Sequence, residues 1–151
     1  MHIAIINGPN LNLLGIREPE IYGTGTLEDL ERLLREEAES TDTELSFFQS
    51  NHEGEIIDHI HSLYGACDGI ILNPAGYTHT SVAIPDALSA VGIPVVEVHL
   101  SEPKKREAFR HRSFVEAVAE KTYAGLGFEG YVRALRYFTD RARKKEKEHP
   151  A

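Results

Sequence analysis

Arg17 and Tyr22 stand at the far end of a long stretch, INGPNLNLLGIREPEIYG, Ile6 to Gly23. Loops between a strand and a helix usually run to about 2–6 residues. This one is much longer and contains three Gly, two Pro and three Asn, Asn10 among them. Further on, Asn73 and His79 lie in LNPAGYTHTS, Asp86 in SVAIPDAL, and His99 and Arg110 at the two ends of a charged loop. Guanidinium, phenol, imidazole, carboxamide and carboxylate groups are the equipment for moving protons and holding a small anion. One Arg–Tyr pair reads most simply as a surface pair. The stronger signal is convergence: three separated stretches each carry polar side chains with little structural reason to be there.

Other readings of these residues stay open. His79 can cap the next helix or face a ligand. His79, His99 and Asp86 together would make a metal-dependent hydrolase, provided a coordination position stayed open. His59 and His61 form H-x-H in a predicted helix, where positions two apart do not share a face, so both read as solvent-side. Cys67, in GACDGI, reads as a small buried residue without a partner base. GLGFEG, Gly125 to Gly130, matches G-x-G-x-x-G, but it lies beside the last helix and no strand follows it. A tight turn packing that helix onto a sheet accounts for it better than nucleotide binding. No G-x-x-x-x-G-K-[ST] motif occurs.

The elements that must position these groups follow from periodicity. HIAIIN (His2 to Asn7) and GIILN (Gly69 to Asn73) are short, apolar and β-branched, the pattern of strands buried on both faces. ELSFFQS (Glu44 to Ser50) and PVVEVHL (Pro94 to Leu100) read as two further strands, and Lys121 to Gly125 as a weak fifth. TLED at Thr26 predicts a capping box, with Leu27, Leu30, Leu33, Leu34 and Ala38 at helical spacing behind it. Ser50 and Glu53 predict a second box ahead of Ile56, Ile57, Ile60 and Leu63. SVAIPDALSAV reads as a helix that tolerates Pro85 near its start, and GYVRALRYFTDRA as the last one. From about residue 144 to Ala151 a solvated tail, the fraying end of that helix, is expected.

Strand–helix alternation with continuous apolar strands implies a single α/β domain over residues 1–151: an open parallel sheet with helices on both faces. Ligands in such sheets sit beyond the carboxyl ends of the strands. Asn7 to Tyr22, Asn73 to Ser81 and His99 to Arg110 all follow strand ends, so all three are expected at one rim.

Composition sets the outer bounds. The chain has 151 residues, 41% hydrophobic and 26% charged, ordinary for a globular domain. The formal net charge of −8 argues against nucleic acid as a main partner, although a pocket can still hold arginines for a small anion. No run approaches the roughly 18 apolar residues of a membrane span. One cysteine, and an N-terminus without the basic region of a signal peptide, set the expectation of a cytoplasmic protein.

Taken together, NGPNLNLLGIREPEIYG, QSNHEGEIIDHIH, LNPAGYTHTSVAIPDAL, EVHLS, REAFRHRS and GLGFEGYVRALRY resemble type II 3-dehydroquinate dehydratase over nearly the whole chain, in order. The resemblance implies a flavodoxin-like three-layer sandwich with a five-stranded parallel sheet. It implies reversible loss of water from 3-dehydroquinate in the shikimate route, without a metal, cofactor or Schiff-base lysine, in a homododecamer built of trimers. Carried across position by position, Tyr22 matches the base, His99 the general acid, and Arg17 the group that stabilises the transition state and holds the phenol ionised. Asn10 and Glu97 match positions that arrange the site. Asn73, His79 and Arg110 match substrate-binding positions, as do Leu100 and Ser101 through their backbone N–H groups. Asp86 matches a carboxylate that completes a neighbouring subunit's pocket. SEPKKREAF departs from the family at Glu102 and Pro103, RHRS carries Arg112 where His is common, and the strand near Thr122 is more polar than usual.

The implied chemistry suits these groups. A proton is removed α to a ketone, and a β-hydroxyl then leaves with the help of an acid. A free phenol is only about one part in a thousand ionised at pH 7, and a guanidinium nearby favours the ionised form. Gly15, Gly23 and Gly25 bracket Arg17 and Tyr22 as hinges for a lid that excludes water on closing. A permanently ordered loop is the alternative. A flavodoxin-like binding module without catalysis also remains open.

Overall fold

The computed structural model describes residues 1–149. Five strands, β1 (His2–Asn7), β2 (Glu44–Gln49), β3 (Gly69–Asn73), β4 (Val95–His99) and β5 (Lys121–Ala124), form one all-parallel sheet in the order β2-β1-β3-β4-β5. The helices are α1 (Pro19–Tyr22), α2 (Leu27–Ala38), α3 (Glu53–Ser62), α4 (Ala83–Val91) and α5 (Glu129–Glu148). Short 3-10 turns punctuate the loops after β1, β3 and β4.

Each inner strand buries both faces because its residues alternate between two cores. Ile3 and Ile5 of β1 meet Leu30 and Leu34 of α2 and Leu135 and Phe138 of α5 on one side. Ala4 and Ile6 meet Ile56 and Ile60 of α3 and Ile84 and Leu88 of α4 on the other. Each fully buried Ile or Leu contributes about 1.5–3 kcal/mol. The result is the flavodoxin-like three-layer sandwich expected from the sequence.

Local signals explain most element ends. Thr26 and Asp29 form the expected reciprocal box: Thr26 N–H donates to Asp29 Oδ2 at 2.9 Å and Asp29 N–H to Thr26 Oγ1 at 3.2 Å. The second box does not form. His52 is the N-cap of α3, and Ser50 Oγ accepts from His52 N–H and donates to Glu55 Oε2 in place of Glu53. Nor is the H-x-H pair wholly solvent-side. His59 stacks on Phe48, ring centroids 4.1 Å apart, and burial pushes its imidazole below the ordinary range. β5 is real but short and half exposed, as suits an edge strand. α5 continues through Glu148 with its last turns exposed, so most of the expected tail is helix; residues 150–151 lie outside the described residues.

The winding of the sheet reverses between β1 and β3, and chain leaving these two strands diverges there. Asn7 and Asn73, their last residues, are register partners. Among the described residues, the non-glycine residues with positive φ are Asn10 (70°), Glu18 (38°) and Ala75 (52°). All three lie in the loops that leave β1 and β3, where such strain commonly marks a functional site.

Candidate active site

The three rim stretches meet around a cavity of about 210 Å³. That is smaller than the roughly 300–1,000 Å³ of drug-sized ligand sites, and it suits a small metabolite. Asn10, Arg17, Tyr22, Asn73, His79, His99, Leu100, Ser101 and Arg110 all line it, together with Arg106. Glu97 stands behind His99. Asp86 does not line this cavity; it is exposed in the first turn of α4. His79, His99 and Asp86 therefore do not gather as metal ligands, and no cluster of three or more such side chains able to hold a metal occurs among the described residues.

Tyr22 ends α1, a single turn begun by Pro19 with Gly23 closing it at φ 84°. Its hydroxyl accepts a hydrogen bond from Arg106 Nη1 at 2.7 Å. Arg17 takes a different place: its guanidinium carbon sits over the Tyr22 ring, 4.7 Å from the centroid, with Glu18 3.8 Å away. The sequence reading put Arg17 in charge of the hydroxyl and overlooked Arg106. A 3-10 turn at Pro103–Lys105, capped where Glu102 Oε1 accepts from Lys104 N–H at 3.2 Å, brings Arg106 round. The Glu102–Pro103 departure thus shapes the turn that precedes Arg106.

His99 and Glu97 share one face of β4 because side chains two apart on a strand do. His99 Nε2 lies 2.5 Å from Glu97 Oε2. A carboxylate only accepts, so Nε2 carries the proton and Nδ1 is the free ring nitrogen. Glu97 is completely buried, and Ser113 Oγ also donates to its Oε2 at 2.7 Å while Thr122 Oγ1 reaches Oε1 at 3.4 Å. Such a bonded buried carboxylate holds the imidazole in orientation and offers an imidazolium a counter-charge. The role of Ser113 and Thr122 escaped the sequence reading; Ser113 showed only as the last residue of REAFRHRS, and Thr122 only as polarity in the strand that became β5.

His79 Nδ1 faces the Arg112 carbonyl at 2.8 Å, so Nδ1–H donates and Nε2 is an acceptor while the ring is neutral. Burial pushes this imidazole below its ordinary range, and His99 and Arg110 nearby add to the effect. Arg110 pairs with Glu107, whose carboxyl it holds below the usual range. The GLGFEG segment has a structural task. Gly125 N–H donates to Ser101 O and Gly127 N–H to Leu100 O, each at 3.1 Å, which ties the loop after β4 to the sheet. Both glycines have positive φ, 76° and 58°. On the facing side, a Cβ at Gly8 would sit 2.5 Å from Pro74 O, so only glycine lets the β1 and β3 loops approach.

A parallel sheet with acid–base groups and three arginines at its carboxyl rim is the plan of an α/β enzyme. Residues 1–139 match the profile of the family described as Dehydroquinase class II. The chain belongs to that family. It is 58% identical over 137 residues to a 3-dehydroquinate dehydratase of Bacillus licheniformis, covering 91% of this chain and 94% of the relative. It is 56% identical over 135 residues to a protein of Fusarium vanettenii named catabolic 3-dehydroquinase 1, covering 89% and 94%. The crystal structure of a type II dehydroquinase from Butyrivibrio crossotus superposes with a TM-score of 0.88 at 47% identity, covering 91% of this chain and 96% of that one.

Proposed function

We propose that this chain is a hydro-lyase converting 3-dehydroquinate reversibly to 3-dehydroshikimate through an enolate, with Tyr22 as base and His99 as general acid. One observation carries the assignment of roles. A tyrosine hydroxyl that accepts from an arginine and a histidine braced by a buried carboxylate line the same small cleft. Tyr22 oxygen takes the proton at C2. The electron pair moves into the ketone as an enolate. It then returns to form the ring double bond as the C–OH bond breaks, and the hydroxyl leaves as water with the Nδ1 proton of a His99 imidazolium, which keeps its Nε2–H on Glu97. Solvent exchange resets both groups. Arg106 donates to the phenol oxygen, and Arg17 lies over the ring face. Arg110 suits the substrate carboxylate, Asn10, Asn73 and His79 its oxygens, and the Leu100 and Ser101 N–H groups complete the binding. The Gly15–Gly25 segment acts as a lid, latched in this state by the Arg106–Tyr22 bond.

Assembly belongs to the same proposal. Val82 and Asp86 are both exposed one turn apart at the start of α4, and Ile16 and Phe109 also show apolar surface near the rim. A homododecamer of trimers would cover such surface and deliver Asp86 to a neighbour's cleft. A cytoplasmic setting fits the single unpaired Cys67; no helix among the described residues is long and apolar enough to cross a membrane.

The test is near-ultraviolet absorbance with 3-dehydroquinate, since the conjugated product absorbs there and the substrate does not. Absorbance should rise with enzyme and survive both exhaustive chelation and borohydride treatment with substrate. No rise would refute the reading. Loss of activity after either treatment would refute the metal-free, imine-free mechanism.

A further inference from the structure

Tyr131, on α5, is completely buried, yet its hydroxyl reaches the carboxyl ends of β1 and β3. It donates to Asn7 Oδ1 at 2.5 Å and accepts from Asn73 Nδ2 at 3.0 Å. Asn73 Oδ1 in turn accepts from Ala75 N–H at 3.1 Å. Asn7 and Asn73 are each only 3% exposed, so the two bonds to the Tyr131 hydroxyl are buried, while Asn73 still borders the cleft.

One end sets the polarity of the whole chain. A backbone N–H can only donate, so the Asn73 oxygen faces Ala75. The Asn73 nitrogen then faces Tyr131, whose oxygen must accept, and the phenol proton is left for Asn7. Inverting the Asn73 amide would oppose N–H to N–H at Ala75 and leave buried donors unpaired. Burial pushes the Tyr131 phenol far above its ordinary range, so it stays neutral and keeps both its donor and its acceptor. A carboxamide has two N–H bonds. One goes to Tyr131, and because Asn73 lines the cleft, the other is the donor available to a bound oxygen.

Resting on the reading of Asn73 as a substrate contact, we propose that Tyr131 is a positioning residue: its buried hydroxyl accepts one N–H of the amide that Ala75 orients and so holds the other N–H toward the substrate. Tyr131 touches no substrate itself. Its ring is part of the core and its hydroxyl also bonds Asn7, but its effect on the substrate passes through Asn73.

The experiment is a kinetic double-mutant cycle on the assembled enzyme with Tyr131→Phe, Asn73→Ala and the double variant. Tyr131→Phe should raise the KM for 3-dehydroquinate about tenfold, one lost hydrogen bond's worth, while changing kcat much less. In the Asn73→Ala background the same change should leave KM where Asn73→Ala put it. An equal fold-change in both backgrounds would mark a general structural loss and overturn the proposal, as would an unchanged KM in Tyr131→Phe. Should Tyr131→Phe fail to fold, Asn7→Ala runs the same cycle. Without its acceptor the phenol proton turns toward Asn73 and opposes the amide, so KM should rise only where Asn73 is present; an additive result overturns the proposal. Wild-type enzyme without turnover would instead refute the functional reading beneath it.

Discussion

A guanidinium has no lone pair to offer, so the Tyr22 oxygen that meets Arg106 is held as an acceptor. Arg17 contributes through the ring face, where a planar cation stacks and a lysine ammonium does not stack equally well. The two arginines should therefore fail differently. Arg106→Ala should lower kcat by about 10²-fold, the low end of what a positioned general base contributes. Arg17→Lys should cost roughly tenfold although charge is retained. Steady-state kinetics on folded variants check both. Near-normal turnover in Arg106→Ala would remove Arg106 from the site, and in Arg17→Lys it would show that charge alone matters there.

At the scale of elements, α3 has a built-in acid sensitivity. Unfolded His59 takes up a proton near the ordinary imidazole value of about 6.5. Folded against Phe48 it does so only at lower pH. Between those two values the unfolded chain binds more protons, so this contribution to stability is complete above about pH 6.5 and is lost as pH falls below it. His59→Phe keeps a stacking ring without a titrating group. Its melting temperature should drop less than that of wild type between pH 7.5 and 5.5; equal drops would clear His59. This residue also shows where the sequence was legible. Period alone exposed H-x-H as two faces, but stacking on a strand residue depends on packing that no local pattern carries. Strands β1 and β3 were readable end to end because burial on both faces leaves a β-branched run. β5 was faint because an edge strand buries little. The Thr26 box was legible because both partners lie within the helix start, whereas Ser50 found another donor and acceptor once the chain turned. The rim groups were legible as polar residues after strand ends. Arg106 was not, since nothing in KKREAFRHR says which arginine the capped turn brings inward, and neither was Tyr131, an ordinary apolar position until its hydroxyl finds Asn7 and Asn73.

The whole molecule sets two further tests. Asp86 lies outside its own cleft, so a cleft completed from a neighbour predicts complementation. Asp86→Ala and Tyr22→Phe, each inactive alone, should regain some activity when subunits exchange, because some clefts then combine intact Tyr22 with a partner's intact Asp86. No recovery despite proven exchange would contradict the cross-subunit role. The central claim is that the cleft divides the reaction, with Tyr22 opposite C2 and His99 at the departing hydroxyl. It is tested most directly by incubating 3-dehydroquinate in deuterated water with each variant and following C2 by proton NMR. With His99→Ala the proton can still be removed but hydroxide cannot depart, so deuterium should enter C2 above the uncatalysed background. With Tyr22→Phe it should not. Deuterium entering at equal rates with both variants would contradict the assignment of Tyr22 as the base.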